Sequence, residues 1–150
     1  MPKKYILLDN IRSILNVGAI FRTCDGAGYD GVFLTGFTPM PPRKEISKTA
    51  IGAEKWIFWE YYQDPMEIIQ KLQQEWVRII ALEQDERSVD FRNEILPKDE
   101  DICIVVGNEI EGVSKEILDI ADFHVEIPMC GRKQSLNVAT AAGVLMYRFV

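Results

Sequence analysis

The sequence predicts an α/β fold in which a mostly parallel sheet carries helices on both faces. Short apolar runs alternate with helical stretches along the 150 residues, an order typical of parallel strands joined by right-handed crossovers. Several runs are apolar on both faces, as is usual for central parallel strands. The length predicts one domain over residues 1–150, and no repeat, linker or low-complexity tract divides it.

The predicted strands are short segments rich in Ile, Val, Leu and aromatic residues. They are Tyr5–Leu8, Val32–Thr35, Trp56–Tyr61, Val77–Leu82, Ile102–Val106 and Phe123–Ile127.

Helices are predicted between these strands from their capping residues. Asp64, Pro65 and Glu67 form an N-cap, a first-turn proline and a capping-box acid for a helix that runs to about Trp76. Ser114 caps a shorter helix that ends near residue 120.

Three glycines in the first helix-to-strand connection match the spacing of a dinucleotide-binding fingerprint. They are Gly26, Gly28 and Gly31. That fingerprint requires a strand before the glycines and a helix after them. Here Asn16–Cys24 is predicted to be a helix and a strand follows, so we interpret the glycines as helix termination and turn formation.

The last helix is predicted to begin at Ser135, which would be its N-cap. Val138, Ala141, Ala142 and Leu145 supply its apolar stripe. Asn137 is then unexplained, because Asn is a poor residue inside a helix. It therefore suggests a ligand or a polar partner.

Composition narrows the class of protein. The three Cys and the single His lack metal-ligand spacing, so no metal site is expected, and an odd cysteine number favours a reducing cytoplasm. The N-terminal apolar run is too short for an export signal, and no stretch approaches the ~20 apolar residues of a membrane span.

The net charge of −6 is concentrated in one segment. Residues 60–101 hold 12 acids and 5 bases, whereas the rest of the chain holds 11 acids and 12 bases. An anion-binding surface therefore remains possible at Arg43, Lys44 and Lys48 and at Arg132 and Lys133. A solvated charged face explains each cluster equally well.

Three separated segments place polar groups where a strand meets a loop or helix. They are Asn16–Gly28, Ile104–Ser114 and Ile127–Gly143. Ligands of parallel α/β sheets bind at the carboxyl ends of the strands, so the second and third segments are predicted to converge there.

These segments resemble the signature motifs of the SpoU (TrmH-like) family within the SPOUT superfamily of RNA methyltransferases. The matching stretches read NVGAIFR from Asn16 to Arg22, GNEIEG from Gly107 to Gly112, IPM from Ile127 and SLNV from Ser135. The resemblance spans nearly the whole chain. One departure, Ala139 where many relatives have Ser, lies inside the last helix.

The resemblance implies a C-terminal deep trefoil knot that forms a pocket for S-adenosylmethionine. It also implies 2′-O-methylation of a ribose in tRNA or rRNA, and no separate RNA-binding extension is expected. The residues expected to bind the cofactor are Leu82, Gly107, Asn108, Ile127, Met129, Ser135 and Leu136.

The same resemblance assigns catalytic roles to Asn16, Arg22, Glu109, Ser135 and Asn137. Family models make the residue at the position of Arg22 a general base, a role for which guanidinium holds its proton too tightly. We favour Arg22 as a phosphate clamp, oriented by the two Asn residues and contributed across a dimer interface. The proton would then leave through phosphate or water.

Glu109 is expected to fix the loop and Asn16, while Ser135 positions the ribose or the cofactor carboxylate. Apart from the resemblance, one half of an ion pair would explain Arg22, and an acid in the first turn of a helix would explain Glu109. RNA is expected to contact Arg12, Arg43, Lys44, Lys48, Arg132 and Lys133.

Two further questions concern assembly and activity. The apolar ending VLMYRFV predicts a homodimer, although the same residues could belong to the core. A catalytically silent RNA-binding or assembly protein is the alternative function, but it would be expected to lose Asn16, Arg22 or Asn137.

Overall fold

Seven parallel strands form one sheet in the computed structural model, which describes residues 1–150. They are β1 (Lys4–Asp9), β2 (Gly31–Thr35), β3 (Trp59–Tyr62), β4 (Arg78–Leu82), β5 (Val89–Asp90), β6 (Ile102–Val106) and β7 (Phe123–Glu126). Their order across the sheet is β3-β2-β1-β6-β4-β7-β5. Every pairing is parallel, which confirms the predicted sheet.

Five α-helices cover the two faces of this sheet. They are α1 (Ile14–Ala27), α2 (Lys44–Ala50), α3 (Pro65–Gln74), α4 (Lys115–Ile120) and α5 (Val138–Arg148). Alternate residues of β1 supply the two cores, since Ile6 packs with α1, α2 and α5 whereas Leu7 packs with α3 and α4. The predicted placement of helices on both faces is therefore confirmed.

Local capping explains the ends of α1. Ser13 is its N-cap and accepts a hydrogen bond from the Asn16 N–H. Gly28 ends it in the left-handed region with φ 71°. Of the three glycines only Gly28 terminates the helix as predicted, because Gly26 lies inside α1 and Gly31 begins β2.

The structure corrects one predicted boundary and adds two elements that were not predicted. The strand predicted from Trp56 begins at Trp59, because the Trp56 N–H closes a 3-10 turn onto Ala53 and its indole donates to Asp25. The edge strand β5 was not predicted. The sequence predicts a loop after the second strand at Arg43 and Lys44, but this segment forms α2, with Arg43 as its N-cap.

The chain end is only partly exposed. Leu145 and Met146 are fully buried in the core, whereas Val144, Tyr147 and Val150 are exposed. The apolar surface available to a partner is therefore smaller than the sequence indicated. None of the helices combines the length and the apolar character needed to cross a membrane.

Candidate active site

A cavity of about 620 Å³ opens at the carboxyl ends of β4, β6 and β7. Its walls come from residues 82–85, 106–113 and 126–138, so the second and third polar segments converge as predicted. The structure brings together in this wall all the residues predicted to bind the cofactor: Leu82, Gly107, Asn108, Ile127, Met129, Ser135 and Leu136.

The turn after β6 depends on two glycines. A Cβ at Gly107 would lie 2.4 Å from the Gly112 backbone, so only glycine permits this close approach. Gly112 has φ 73°, and a Cβ there would lie 2.0 Å from the Glu83 carboxylate. Asn108 stabilises the turn because its Oδ1 accepts from the N–H groups of Ile110 and Glu111, both at 2.9 Å.

Glu109 connects this turn to the start of α1. Its Oε1 accepts from the Arg12 N–H at 2.9 Å, and its Oε2 accepts from the Ser13 N–H at 3.0 Å. Oε2 also accepts from Asn16 Nδ2 at 3.1 Å. Burial raises the pKa of Glu109, but these donors outweigh burial and hold the pKa below its ordinary value.

Asn137 joins Asn16 to the last helix and replaces the predicted cap. Its Oδ1 accepts from the N–H groups of Ala139 and Thr140, at 2.9 and 3.1 Å, so Asn137 is the N-cap of α5. The prediction that Ser135 caps this helix is wrong. Asn137 Nδ2 donates to Asn16 Oδ1 at 3.2 Å, which completes a chain from Glu109 through Asn16 to Asn137.

Ser135 lies in the cavity wall, exposed, and its hydroxyl has no hydrogen-bond partner in the protein. It precedes α5 by three residues. Its hydroxyl is therefore free for a ligand instead of being used by the helix.

Arg22 is not joined to this network within one chain. Its side chain is exposed and makes no hydrogen bond or ion pair, and Asn16 and Asn137 do not orient it here. It shares one face of α1 with Leu15, seven residues earlier and 49% exposed. Asn16 and Arg22 both lie outside the cavity wall.

Glu83 and Gln84 are among the cavity residues that the sequence did not predict. Glu83 Oε2 accepts from the Val113 N–H at 2.7 Å, and Gln84 Nε2 donates to the Gln134 carbonyl at 2.7 Å. They connect the loop after β4 to the other two walls. Their position directly after a buried strand was the signal that could have identified them.

The predicted RNA-binding residues are all exposed but lie in three places. Arg12 precedes α1 beside Glu109, and Arg132 and Lys133 lie between β7 and α5. Arg43 and Lys44 begin α2, where the guanidinium of Arg43 lies 3.8 Å from Glu45. No group of three or more His, Cys, Asp or Glu side chains in the structure could hold a metal ion.

Comparisons with known proteins all indicate the same family. The family described as SpoU rRNA Methylase matches residues 3–147. The tRNA (guanosine(18)-2′-O)-methyltransferase of Aquifex aeolicus is 35% identical over 143 residues, which cover 95% of this chain and 66% of that protein. The protein of the same name from Thermus thermophilus is 34% identical, with 97% of this chain and 73% of the relative covered.

Comparison with solved structures indicates the same class of protein. An AdoMet-bound rRNA methyltransferase from Sinorhizobium meliloti superposes with a TM-score of 0.89 at 31% identity, over 97% of this chain and 55% of the other. The TrmH/SpoU tRNA modifying enzyme of A. aeolicus gives a TM-score of 0.86 at 31% identity, over 99% and 74%. The chain thus spans from about half to three quarters of the length of these relatives.

Proposed function

Because the chain belongs to the SpoU rRNA methylase family, we propose that it is an S-adenosylmethionine-dependent methyltransferase acting on a ribose 2′-hydroxyl of tRNA or rRNA. The single observation that carries the proposal is the cavity formed by the Gly107 turn and the 127–137 segment, directly beside the Glu109–Asn16–Asn137 network. The relatives named as tRNA 2′-O-methyltransferases and the AdoMet-bound relative support it.

The cavity wall fits the proposed cofactor in size and chemistry. Its volume lies within the range of about 300–1,000 Å³ usual for small-molecule sites. Leu82, Ile127 and Leu136 supply apolar surface, and Gly107 lines the cavity without a side chain. When bound, S-adenosylmethionine supplies a methyl group on a sulfonium leaving group.

The residues of this chain then supply alignment and charge stabilisation. Glu109 holds the first turn of α1 and Asn16 in place, and Asn137 fixes the start of α5 against Asn16. Ser135, with its free hydroxyl in the cavity wall, positions the ribose or the cofactor carboxylate. In-line alignment of this kind accounts for much of the rate of a group transfer.

Arg22 is exposed and is not joined to the network of its own chain, so we place its role at the site of a second subunit. We assign it to an RNA phosphate and to the oxygen charge that develops during transfer, at the site of the partner subunit. Its exposed position beside Leu15, and the exposed Val144 and Tyr147 of α5, support a homodimer through this face. The proton of the hydroxyl would leave through phosphate or water.

A trefoil knot is part of the proposal. The chain reaches β7 from α4 on one face of the sheet and continues from it to α5 on the other face. The connection from β4 to β6 passes through β5, on the far side of β7. Threading of the C-terminal segment through the 83–101 connection accounts for this arrangement.

RNA binding is assigned to the exposed basic residues already named, within one domain over residues 1–150. Cys24, Cys103 and Cys130 are free, and Cys24 and Cys103 are buried, which fits a cytoplasmic enzyme. A silent RNA-binding protein remains the alternative, and single-turnover methyl transfer to RNA separates the two.

Calorimetry with S-adenosylmethionine, its demethylated product and NAD tests the cofactor assignment. Both methyl-cycle compounds should bind and NAD should not, because the glycines that match a dinucleotide fingerprint lie between the last turn of α1 and the start of β2 instead of between a strand and a following helix. Absence of heat with both methyl-cycle compounds, at concentrations well above micromolar, would contradict the assignment.

A further inference from the structure

A second cavity, of about 490 Å³, lies at the carboxyl ends of β1, β2 and β3. Its lining includes Asp9, Asn10, Phe37, Tyr61 and Gln63. None of these residues belongs to the predicted catalytic, cofactor or RNA-binding sets. We call this cavity, defined by these five residues, the aromatic pocket.

The aromatic pocket shares a wall with the candidate active site. Asn108, from the wall of the first cavity, donates through Nδ2 to the Asn10 carbonyl at 2.9 Å. Ser114 lines the second cavity and directly follows Val113, which lines the first. The two cavities therefore adjoin, with the Asn108–Asn10 hydrogen bond between them.

A nearly buried carboxylate gives the pocket its polarity. Asp9 is 4% exposed, and its Oδ1 accepts from the Thr35 hydroxyl at 2.8 Å. Its Oδ2 has no partner in the protein and is available to a donor in the cavity. Asn10 uses its Oδ1 to accept from the Phe37 N–H at 3.0 Å, which leaves its amide donors free.

Aromatic surface lies beside these polar groups. Phe37 is 60% exposed although it is apolar, and Tyr61 is 37% exposed with its hydroxyl bonded to the Gly36 carbonyl. An exposed ring next to unsatisfied hydrogen-bonding groups is the combination that recognises an unstacked base in single-stranded RNA.

Charge argues against an anion in this pocket. Burial raises the pKa of Asp9 and the Asp64 carboxylate raises it further, so a phosphate here would meet the Asp9 carboxyl in the negative field of Asp64. The N-terminus of α3 does not compensate, because Asp64 itself accepts from the Met66 N–H. A neutral ligand with N–H donors fits instead.

We propose that the aromatic pocket binds the base of a nucleotide next to the reacting ribose, stacked on Phe37 and donating an amino N–H to Asp9 Oδ2. The proposal rests on RNA being the substrate. Guanine, adenine and cytosine carry such an exocyclic amino group, whereas uracil has only its ring N3–H to donate, so uridine is the poorest occupant.

Fluorescence anisotropy with labelled ten-nucleotide RNA homopolymers of A, C and U tests the pocket. The wild-type protein should bind the A and C oligomers at least about fivefold more tightly than the U oligomer, the lower limit of one discriminating contact. Asp9→Asn keeps the bond from Thr35 but replaces the free acceptor with a donor, so this preference should disappear.

Phe37→Ala should weaken binding of all three oligomers by about fivefold or more, the lower limit for loss of one base–aromatic stack. Because Phe37 is exposed, its replacement should not disrupt the fold, so weaker binding would not be due to misfolding. Trp76→Ala is the matched control, since Trp76 is 87% exposed and lies before β4, away from both cavities, and it should change nothing.

Three results would each contradict base binding in the aromatic pocket. They are equal wild-type affinities for the three oligomers, a preference that persists in Asp9→Asn, and equal effects of the Phe37 and Trp76 variants. Calorimetry with S-adenosylmethionine, run on the same variants, should show unchanged affinity. If the wild-type protein does not bind S-adenosylmethionine but still shows the base preference, the proposed function is rejected and the pocket is retained.

Discussion

Replacement of Glu109 by Gln tests whether this carboxylate holds the start of α1. Oε1 and Oε2 together accept from the N–H groups of Arg12 and Ser13 and from the Asn16 amide. Glutamine has the same shape but one acceptor oxygen, so E109Q turns an NH₂ group toward one of these donors. One charge-assisted hydrogen bond is lost.

The expected destabilisation is about 2 kcal/mol. A hydrogen bond to a charged group contributes about 1.5–3 kcal/mol, and a negative charge at a helix N-terminus adds about 0.3–1 kcal/mol. Glu109 is exposed to solvent, so the lower values apply. In a domain of this size about 2 kcal/mol lowers Tm by roughly 4–8 °C.

The effect should depend on pH because the pKa of Glu109 is lowered in the folded protein. The stabilisation is complete above the unfolded-state pKa of about 4.3 and is lost as the pH falls through the lower folded-state pKa. The Tm difference between wild type and E109Q should therefore be full at pH 7 and shrink below about pH 4.3.

Thermal unfolding followed by circular dichroism measures both effects. Glu111→Gln is the matched control, because Glu111 is exposed in the same turn and its carboxylate accepts no hydrogen bond. Equal Tm values for the two variants at pH 7 would refute the reasoning, as would a difference that persists at the lowest pH.

Three further predictions concern the cofactor, the chemistry and the RNA. Gly107→Ala should abolish binding of S-adenosylmethionine in calorimetry, because the new Cβ would lie 2.4 Å from the Gly112 backbone, and normal affinity would contradict the role of that turn. Arg22→Ala should leave cofactor affinity unchanged and reduce the single-turnover rate by at least ~100-fold, and an unchanged rate would remove Arg22 from the mechanism. Replacing Arg43 and Lys44 by Glu should weaken RNA binding, reduce the log–log salt slope by roughly 0.7–0.9 per lost contact and spare cofactor affinity. The double change of the exposed Lys71 and Lys98 to Glu in the acidic segment is the control, and equal effects would assign the result to net charge.

The parts of the fold that the sequence predicts well are those with a strong local signal. The runs forming β1, β2 and β6 are buried on both faces, so an uninterrupted apolar stretch identifies them. By contrast, β5 has two residues at the edge of the sheet, and only its pairing with β7 defines it. The seven-residue α2 follows Arg43, whose side chain makes no capping hydrogen bond, so no N-terminal signal precedes the helix.

In the candidate site, too, features with a local sequence signal were predictable and features that depend on distant contacts were not. The convergence of two polar segments was predictable because both follow parallel strands. The choice between Ser135 and Asn137 as N-cap was not, since both residue types cap helices and the contact that favours Asn137 comes from Asn16, 121 residues away. Glu83 was overlooked although it follows a buried strand, because its partner, the Val113 N–H, is 30 residues away.

The most direct test of the proposed function is the fate of a labelled methyl group. The purified protein is incubated with methyl-labelled S-adenosylmethionine and total RNA, and the RNA is then digested to nucleosides and analysed by mass spectrometry. The account predicts label on the 2′-oxygen of a ribose in tRNA or rRNA, at a rate that falls at least ~100-fold in Arg22→Ala. Label on a base, or no label despite measurable binding of the cofactor and of RNA, would contradict it.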